Sequence, residues 1–454
     1  MKNVDVLFIN PYWSNLGESI EHLGFGYMAA VLRKHGYSVY IADAPLNGWD
    51  NKETIENIKE YSPTIIGVSI PFQEGAADAL ELIEMLKPTF SCHVTVGGIY
   101  PTFEYQGLLN DYPKIDSIVM GEGEETIVSL IDALKNGTSL SNVDGLAIRS
   151  NNRAVTTAKR HLVNDLDSLP FPSRDTLNFV MKKFNFASLV SSRGCYGRCS
   201  FCSVDGFYSS FGPKYRIRSP ENVVDEMEML LKKYGVHNFM FNDANFIGGS
   251  GRGADRAYAI GREILKRNIK CEFRIQCRAN DVDKELFELL KEAGLSRVYV
   301  GIESGSQAQL DRCKKDITIE ENLKALSILN GLGLFAKIGF IMFDRDVTVD
   351  DLLNNIQFIS RIKKMFNKGK LGYIYPVAKL IPLSGSAEKN KLLKDGILEG
   401  NYKNYTYKFK DKKINALYNV ITKSSSTIWG IKGKFKSDKE DAMDWTRGWK
   451  SWNE

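Results

Sequence analysis

Twice along this chain, short runs rich in β-branched and aromatic residues alternate with helical patterns of roughly 10–15 residues, which indicates an α/β protein with parallel sheets flanked by helices. In the first series, strands are expected at 4–10, 38–43, 64–70, 93–96 and 115–120, with helices at 23–35, 76–86 and 124–134. Gly36 stands where a helix end favours glycine. This reads as a Rossmann-like, doubly wound parallel sheet over residues 1–145. Such sheets bind ligands beyond the carboxyl ends of their strands. The loops there carry Asn10-Pro11-Tyr12, Ser69-Ile70-Pro71-Phe72, Gly97-Gly98-Ile99-Tyr100 and Gly121-Glu122-Gly123-Glu124. Residues 146–185, with DLDSLPFPSRD, read as an irregular connector. A second series places strands at 187–191, 238–242, 272–277, 297–302, 336–342 and 371–380. These six repeats suit a partial (β/α)6 TIM-like barrel over 186–385, followed by a small, mainly helical C-terminal region over 386–454.

Composition narrows the class. Of 454 residues, 43% are apolar and 25% charged, which excludes collagenous and disordered readings. No uncharged apolar run approaches the ~18 residues of a membrane span. The opening MKNVDVLFINPYW lacks the ordered regions of a secretion signal, so a cytoplasmic protein is expected. Residues 361–454 hold 21 Lys+Arg against 9 Asp+Glu, and the rest 39 against 46. Such a basic quarter is most often a solvated face, and can also face an anionic substrate.

Three of the seven cysteines fall within eight positions, Cys195-Tyr-Gly-Arg-Cys199-Ser-Phe-Cys202, in the loop after an expected strand. Thiolates this close can hold one soft metal centre, zinc or an iron–sulfur cluster. Structural zinc wants a fourth ligand at local spacing, and His161 and His237 are both distant. Three thiolates would leave one iron of a 4Fe–4S cluster open to an outside ligand. Cys271, Cys277 and Cys313 show no ligand spacing and read as ordinary residues.

At these residues the sequence resembles the radical S-adenosylmethionine superfamily, whose hallmark is Cys-x3-Cys-x2-Cys with an aromatic, here Phe201, before the last cysteine. Ser192-Arg193-Gly194 ahead of the motif adds to the likeness. The resemblance implies that Cys195, Cys199 and Cys202 hold a 4Fe–4S cluster whose open iron takes S-adenosylmethionine, cleaved on reduction to a 5′-deoxyadenosyl radical. Relatives hold S-adenosylmethionine at later strand ends, which makes Asp243, Arg278, Glu303 and Ser304 the candidates here. Enclosure of such chemistry suits the open end of a barrel.

The first domain resembles the cobalamin-binding domain of cobalamin-dependent radical S-adenosylmethionine enzymes, through LGFGYMAAVLRKHGYSVYIADA, VTVGGIYPTF and IVMGEGEETI. Cobalamin is then expected against Pro11, Ser69, Gly97, Gly98, Gly121 and Glu122. The Asp-x-His-x-x-Gly of histidine-ligated cobalamin domains is absent: His22 precedes Gly24 by two, and position 20 is Ile. Base-off cobalamin without a histidine ligand is therefore expected, with His22 a surface or packing residue. A dinucleotide is disfavoured because the first turn lacks Gly-x-Gly-x-x-Gly.

The resemblance implies methyl transfer to an unactivated carbon, or to phosphorus, of a small-molecule or peptide substrate. Cyclisation and ring rearrangement occur on the same architecture. A methylthiotransferase would need a second cluster, and Cys92 is the one cysteine before 195. A non-catalytic cobalamin or iron–sulfur sensor would keep the cysteines without turnover. An external electron donor of the flavodoxin or ferredoxin type is implied, and neither a membrane nor nucleic acid is expected as partner. Trp445, Trp449 and Trp452 fall on one helical face and, with Trp429, offer a packing stripe or a substrate wall.

Overall fold

The computed structural model describes residues 2–13 and 20–432, with side chains through Lys423. The side chains of Trp429, Trp445, Trp449 and Trp452 lie outside the described residues.

The strands in chain order are β1 (Lys2–Asn10), β2 (Val39–Asp43), β3 (Tyr61–Ser69), β4 (His93–Gly97), β5 (Ser117–Val119), β6 (Leu146–Ser150) and β7 (Arg153–Thr156). They form one sheet of order β2-β1-β3-β4-β5-β6-β7. Strands β1 to β5 pair in parallel. Their order changes direction between β1 and β3, which opens a crevice at the carboxyl ends of those strands. Apolar residues on both faces explain why the strands read as near-continuous hydrophobic runs: Leu7, Ile9, Ile66 and Val68 pack on one side, and Val6, Phe8 and Ile65 on the other.

The sheet does not stop at 145. Strands β6 and β7 add an antiparallel hairpin to β5, so the connector starts after Thr156 rather than at residue 146. Arg149 on β6 fastens this edge by donating to the carbonyls of Leu109, Tyr112 and Ile115 at 2.7, 2.7 and 2.6 Å.

The second unit contains β8 (Ala187–Leu189), β9 (Ser192–Gly194), β10 (Tyr215–Ile217), β11 (Asn238–Phe241), β12 (Glu272–Arg278), β13 (Leu295–Glu303) and β14 (Phe335–Phe340). Five of them, β8 and β11 to β14, form a parallel sheet in sequential order. The sixth expected strand is broken. Segment 371–380 meets the sheet only through parallel bridges Ala336–Leu371 and Phe343–Lys379. Pro376 lies between those bridges and has no N–H to donate to a ladder. Strands β9 and β10 form a separate antiparallel hairpin at the end of β8.

A buried ionic network ties the units together. Arg174, from the connector, donates to Glu21 and to Glu226 at 2.6 Å each, and Arg218 pairs with the same Glu226. The C-terminal region adds helices Ala387–Lys394 and Lys412–Lys432. It lies against helix Ile99–Asp111 of the first domain, where Lys389 pairs with Glu104 and Tyr402 donates to Asp111 at 2.7 Å.

Candidate cobalamin and cluster site

Gly194 ends β9 with φ +86°, and a Cβ there would lie 1.9 Å from the Lys214 carbonyl oxygen. Only glycine allows the chain to turn that tightly beside β10. Cys195 follows, its N–H donating to the same carbonyl at 3.0 Å. The loop closes at Cys202, which precedes helix Ser203–Phe211 as its N-cap. Two backbone bonds pin the middle of the loop: Ser200 N–H to the Cys313 carbonyl at 2.8 Å, and Glu388 N–H to the Ser200 carbonyl at 2.7 Å.

All three thiols are half-buried and free. Burial pushes the Cys195 thiol up, against the Gly197 N–H and Arg278, and pushes Cys202 up to about 11. Donors already face the sulfurs: Arg278 Nη1 lies 3.0 Å from Cys199 Sγ and Gly197 N 3.3 Å from Cys195 Sγ. Among the described residues, no three His, Cys, Asp or Glu side chains are grouped tightly enough to hold a single metal ion. A guanidinium at Cys199 and a backbone N–H at Cys195 offset the charge that thiolates would carry there, as the ligands of a metal cluster require.

The expected S-adenosylmethionine residues divide into two pairs. Arg278 and Glu303 are near the thiol loop. Arg278 also donates to the Lys315 carbonyl and lies over the Tyr196 ring. Glu303 closes β13 at φ +65° and pairs with the buried Lys315 Nζ at 2.9 Å. A non-glycine residue in that region stores strain of about 1–3 kcal/mol, which clusters at working sites. Asp243 and Ser304 are instead committed internally. Asp243 accepts from the N–H and hydroxyl of Ser191 and the hydroxyl of Ser192. Ser304 bonds to Gln309 and Asn355 at 2.7 and 2.8 Å. Their buried polar atoms brace strand ends.

A cavity of about 340 Å³ lies between the carboxyl ends of the first sheet and the start of the thiol loop. Ser69, Gly97, Gly98, Gly121 and Glu122 line it as expected. Pro11 does not: the end of β1 turns toward β2, where Asn10 donates to Asp43 at 3.1 Å. Gly98 has φ +122°, and a Cβ would sit 2.7 Å from the Ile70 carbonyl, so the floor of the crevice is backbone packed on backbone. The opposite wall is Ser192, Arg193, Gly194, Val204, Phe207 and Tyr208.

Three further residues, not among the expected cofactor contacts, belong here. His22 lines the cavity rather than the outer surface. Its Nδ1 accepts from the Phe25 N–H at 3.1 Å and its Nε2 lies 2.9 Å from Ser69 Oγ. Burial lowers its pKa to about 4, so the ring is neutral near pH 7. Arg193 reaches Glu122 at 2.8 Å and Glu124 at 2.6 Å. Burial works to raise the Glu122 carboxyl, but Arg193 and Arg216 outweigh it and hold the group below the usual range. Asn245 Nδ2 lies 3.9 Å from Cys195 Sγ. Arg193 lies inside Ser192-Arg193-Gly194, and only the folded chain shows what it touches.

A doubly wound cofactor domain stacked on a partial barrel, with a three-thiol loop between them, defines an enzyme scaffold built to bring two cofactors together. Comparison with known proteins places it further. The B12 binding domain model matches residues 10–131 and the Radical SAM superfamily model matches 189–359. The chain belongs to the cobalamin-dependent radical S-adenosylmethionine enzymes, whose cofactors are a 4Fe–4S cluster, S-adenosylmethionine and cobalamin. It is 28% identical over 389 residues to an uncharacterized methyltransferase of Pyrococcus horikoshii, covering 84% of this chain and 83% of that one. It is 31% identical to the anaerobic magnesium-protoporphyrin IX monomethyl ester cyclase of Rubrivivax gelatinosus, covering 76% of this chain and 64% of the cyclase, so under two thirds of that protein is represented. Among solved structures, the cobalamin-dependent S-adenosylmethionine radical enzyme OxsB with aqua-cobalamin bound matches at TM-score 0.80 and 25% identity, covering 98% of this chain and 70% of that one. Among the described residues, no helix is long and apolar enough to cross a membrane.

Proposed function

We propose that the protein is a methyltransferase acting on an unactivated carbon, or on phosphorus, of a small-molecule or peptide substrate. One observation carries the reading: the stretch 192–208 both holds the three thiols and forms a wall of the cavity. A group in the cavity and a cluster on the thiols would therefore share a boundary only a few residues thick. When bound, the cluster supplies the electron that splits S-adenosylmethionine, and cobalamin carries the methyl group.

The chain's own residues do the holding. Arg278 and the Gly197 N–H offset negative charge on the thiolates. Glu303, held by Lys315, offers carboxylate oxygens beside the loop for the amino group of S-adenosylmethionine. Asp243 and Ser304 keep the strand ends in place beneath it. Phe207 and Tyr208 exclude water, and Ser69, Gly97, Gly98, Gly121 and Glu122 receive the corrinoid. An electron donor of the flavodoxin or ferredoxin type and a cytoplasmic location go with this reading.

Cyclisation is the second reading, favoured by the 31% identity to a cyclase. The test is anaerobic turnover with S-adenosylmethionine and cobalamin against candidate compounds, read by mass spectrometry. Methyl transfer adds one CH₂ mass to the product together with 5′-deoxyadenosine. A product of unchanged carbon count supports cyclisation, and absence of any S-adenosylmethionine cleavage by the reconstituted protein rejects both.

A further inference from the structure

The β9–β10 hairpin sets Arg193 directly opposite Arg216. Like charges facing each other across a strand pair destabilise it. Here both guanidinium groups converge on carboxylates of the other domain. Arg193 donates to Glu122 Oε1 at 2.8 Å and to Glu124 Oε1 at 2.6 Å. Arg216 donates to both oxygens of Glu122, at 2.7 and 3.0 Å. The four side chains are at most 12% exposed, and the Arg193 guanidinium lies 5.1 Å from the Tyr27 ring centroid. Glu122 and Glu124 line the cavity floor, while Arg193 stands two residues before Cys195.

We propose that Arg193 is a positioning residue, and that its clasp with Glu122, Glu124 and Arg216 fixes the thiol loop at a set distance and orientation from the cavity. The inference rests on the reading that the cavity takes the corrinoid and the thiols the cluster. Its physical basis is the fork of the guanidinium. Two parallel donors on two carboxylates fix both distance and angle, which a lysine's single flexible point charge does not. Buried ion pairs contribute little stability over apolar packing, so geometry is the better account of a four-charge cluster at this seam. It also makes the hairpin conditional: without the carboxylates, two arginines face each other beside the first thiol.

The test uses the full chain and two readouts. In the cofactor-free protein, Glu122→Gln should speed amide hydrogen exchange about tenfold in 192–202 and 215–217, with β11 to β13 unchanged. In the loaded protein, spin coupling between Co(II) and the reduced cluster should change from one narrow distribution to a broader or longer one. Arg193→Lys, which keeps the charge and loses the fork, gives the same readouts should the first variant not fold. Exchange and coupling both identical to wild type overturn the proposal. Local exchange that responds in a wild-type background binding neither cobalt nor iron rejects the functional reading and leaves the clasp standing.

Discussion

A neutral imidazole has one lone pair, and at His22 it is taken up by the Phe25 N–H, which leaves the Nε2 proton for Ser69. No ring nitrogen is left for cobalt. The Co(II) spectrum of the loaded protein should therefore lack nitrogen hyperfine structure from an imidazole, and imidazole splitting would contradict the assignment. The same residue sets a pH dependence. Its folded pKa, about 4, lies below the ordinary 6.5, so on acidification the unfolded chain takes the proton first. The His22 contribution is complete above about pH 6.5 and is lost as pH falls toward 4. Denaturant midpoints measured across that range should slope less in His22→Gln than in wild type. For the cluster, replacing Cys195, Cys199 and Cys202 together by Ala should abolish the iron and all cleavage of S-adenosylmethionine. About four irons retained per chain would mean the ligands lie elsewhere. At this scale the sequence was legible where chemistry is written in local spacing, as in the three cysteines. His22 meets Ser69, and Arg193 meets Glu122 and Glu124, across more than 40 residues of chain, and no local spacing announces them.

Elements follow the same division. The parallel strands announce themselves because burial on both faces makes them nearly continuous apolar runs. The β6–β7 hairpin is read less easily: its edge position leaves Arg149, Arg153 and other polar residues along it, so it resembles a loop. The sixth barrel strand fails for the opposite reason, since its residues are strand-like but Pro376 breaks the ladder. The β9–β10 hairpin depends on one residue. Gly194→Ala places a Cβ against a backbone carbonyl that cannot move aside, at a φ that Ala resists. The cost should be roughly 2–5 kcal/mol, from backbone strain and overpacking together. It should appear as a lowered unfolding midpoint accompanied by lost cluster, because Cys195 is the next residue. A variant as stable as wild type with full iron content would show that the turn relaxes without harm.

At the scale of the whole molecule, the C-terminal region closes a circuit. Chain order runs from the first domain through the barrel, and segment 384–402 then returns to the first domain. Its anchor is Lys389, paired with Glu104 from helix Ile99–Asp111, while Ser384 donates to the same carboxylate at 2.6 Å. Both charged side chains are under 10% exposed. Tyr100 and Tyr402 extend the contact, the Tyr100 hydroxyl donating to the Tyr402 carbonyl at 3.0 Å. Breaking a buried pair from one side leaves an uncompensated charge, a loss of about 3–5 kcal/mol. Lys389→Met should thus lower the unfolding free energy by about that amount and loosen the C-terminal region from the first domain. Glu104→Gln alone keeps a polar partner for Ser384 but strands the ammonium, with a similar loss. The double variant removes both charges, and its stability should return to within about 1–2 kcal/mol of wild type. Two single losses that simply add in the double variant would show that the charges do not act as a pair, and that the return of the chain to the first domain rests on the tyrosines instead.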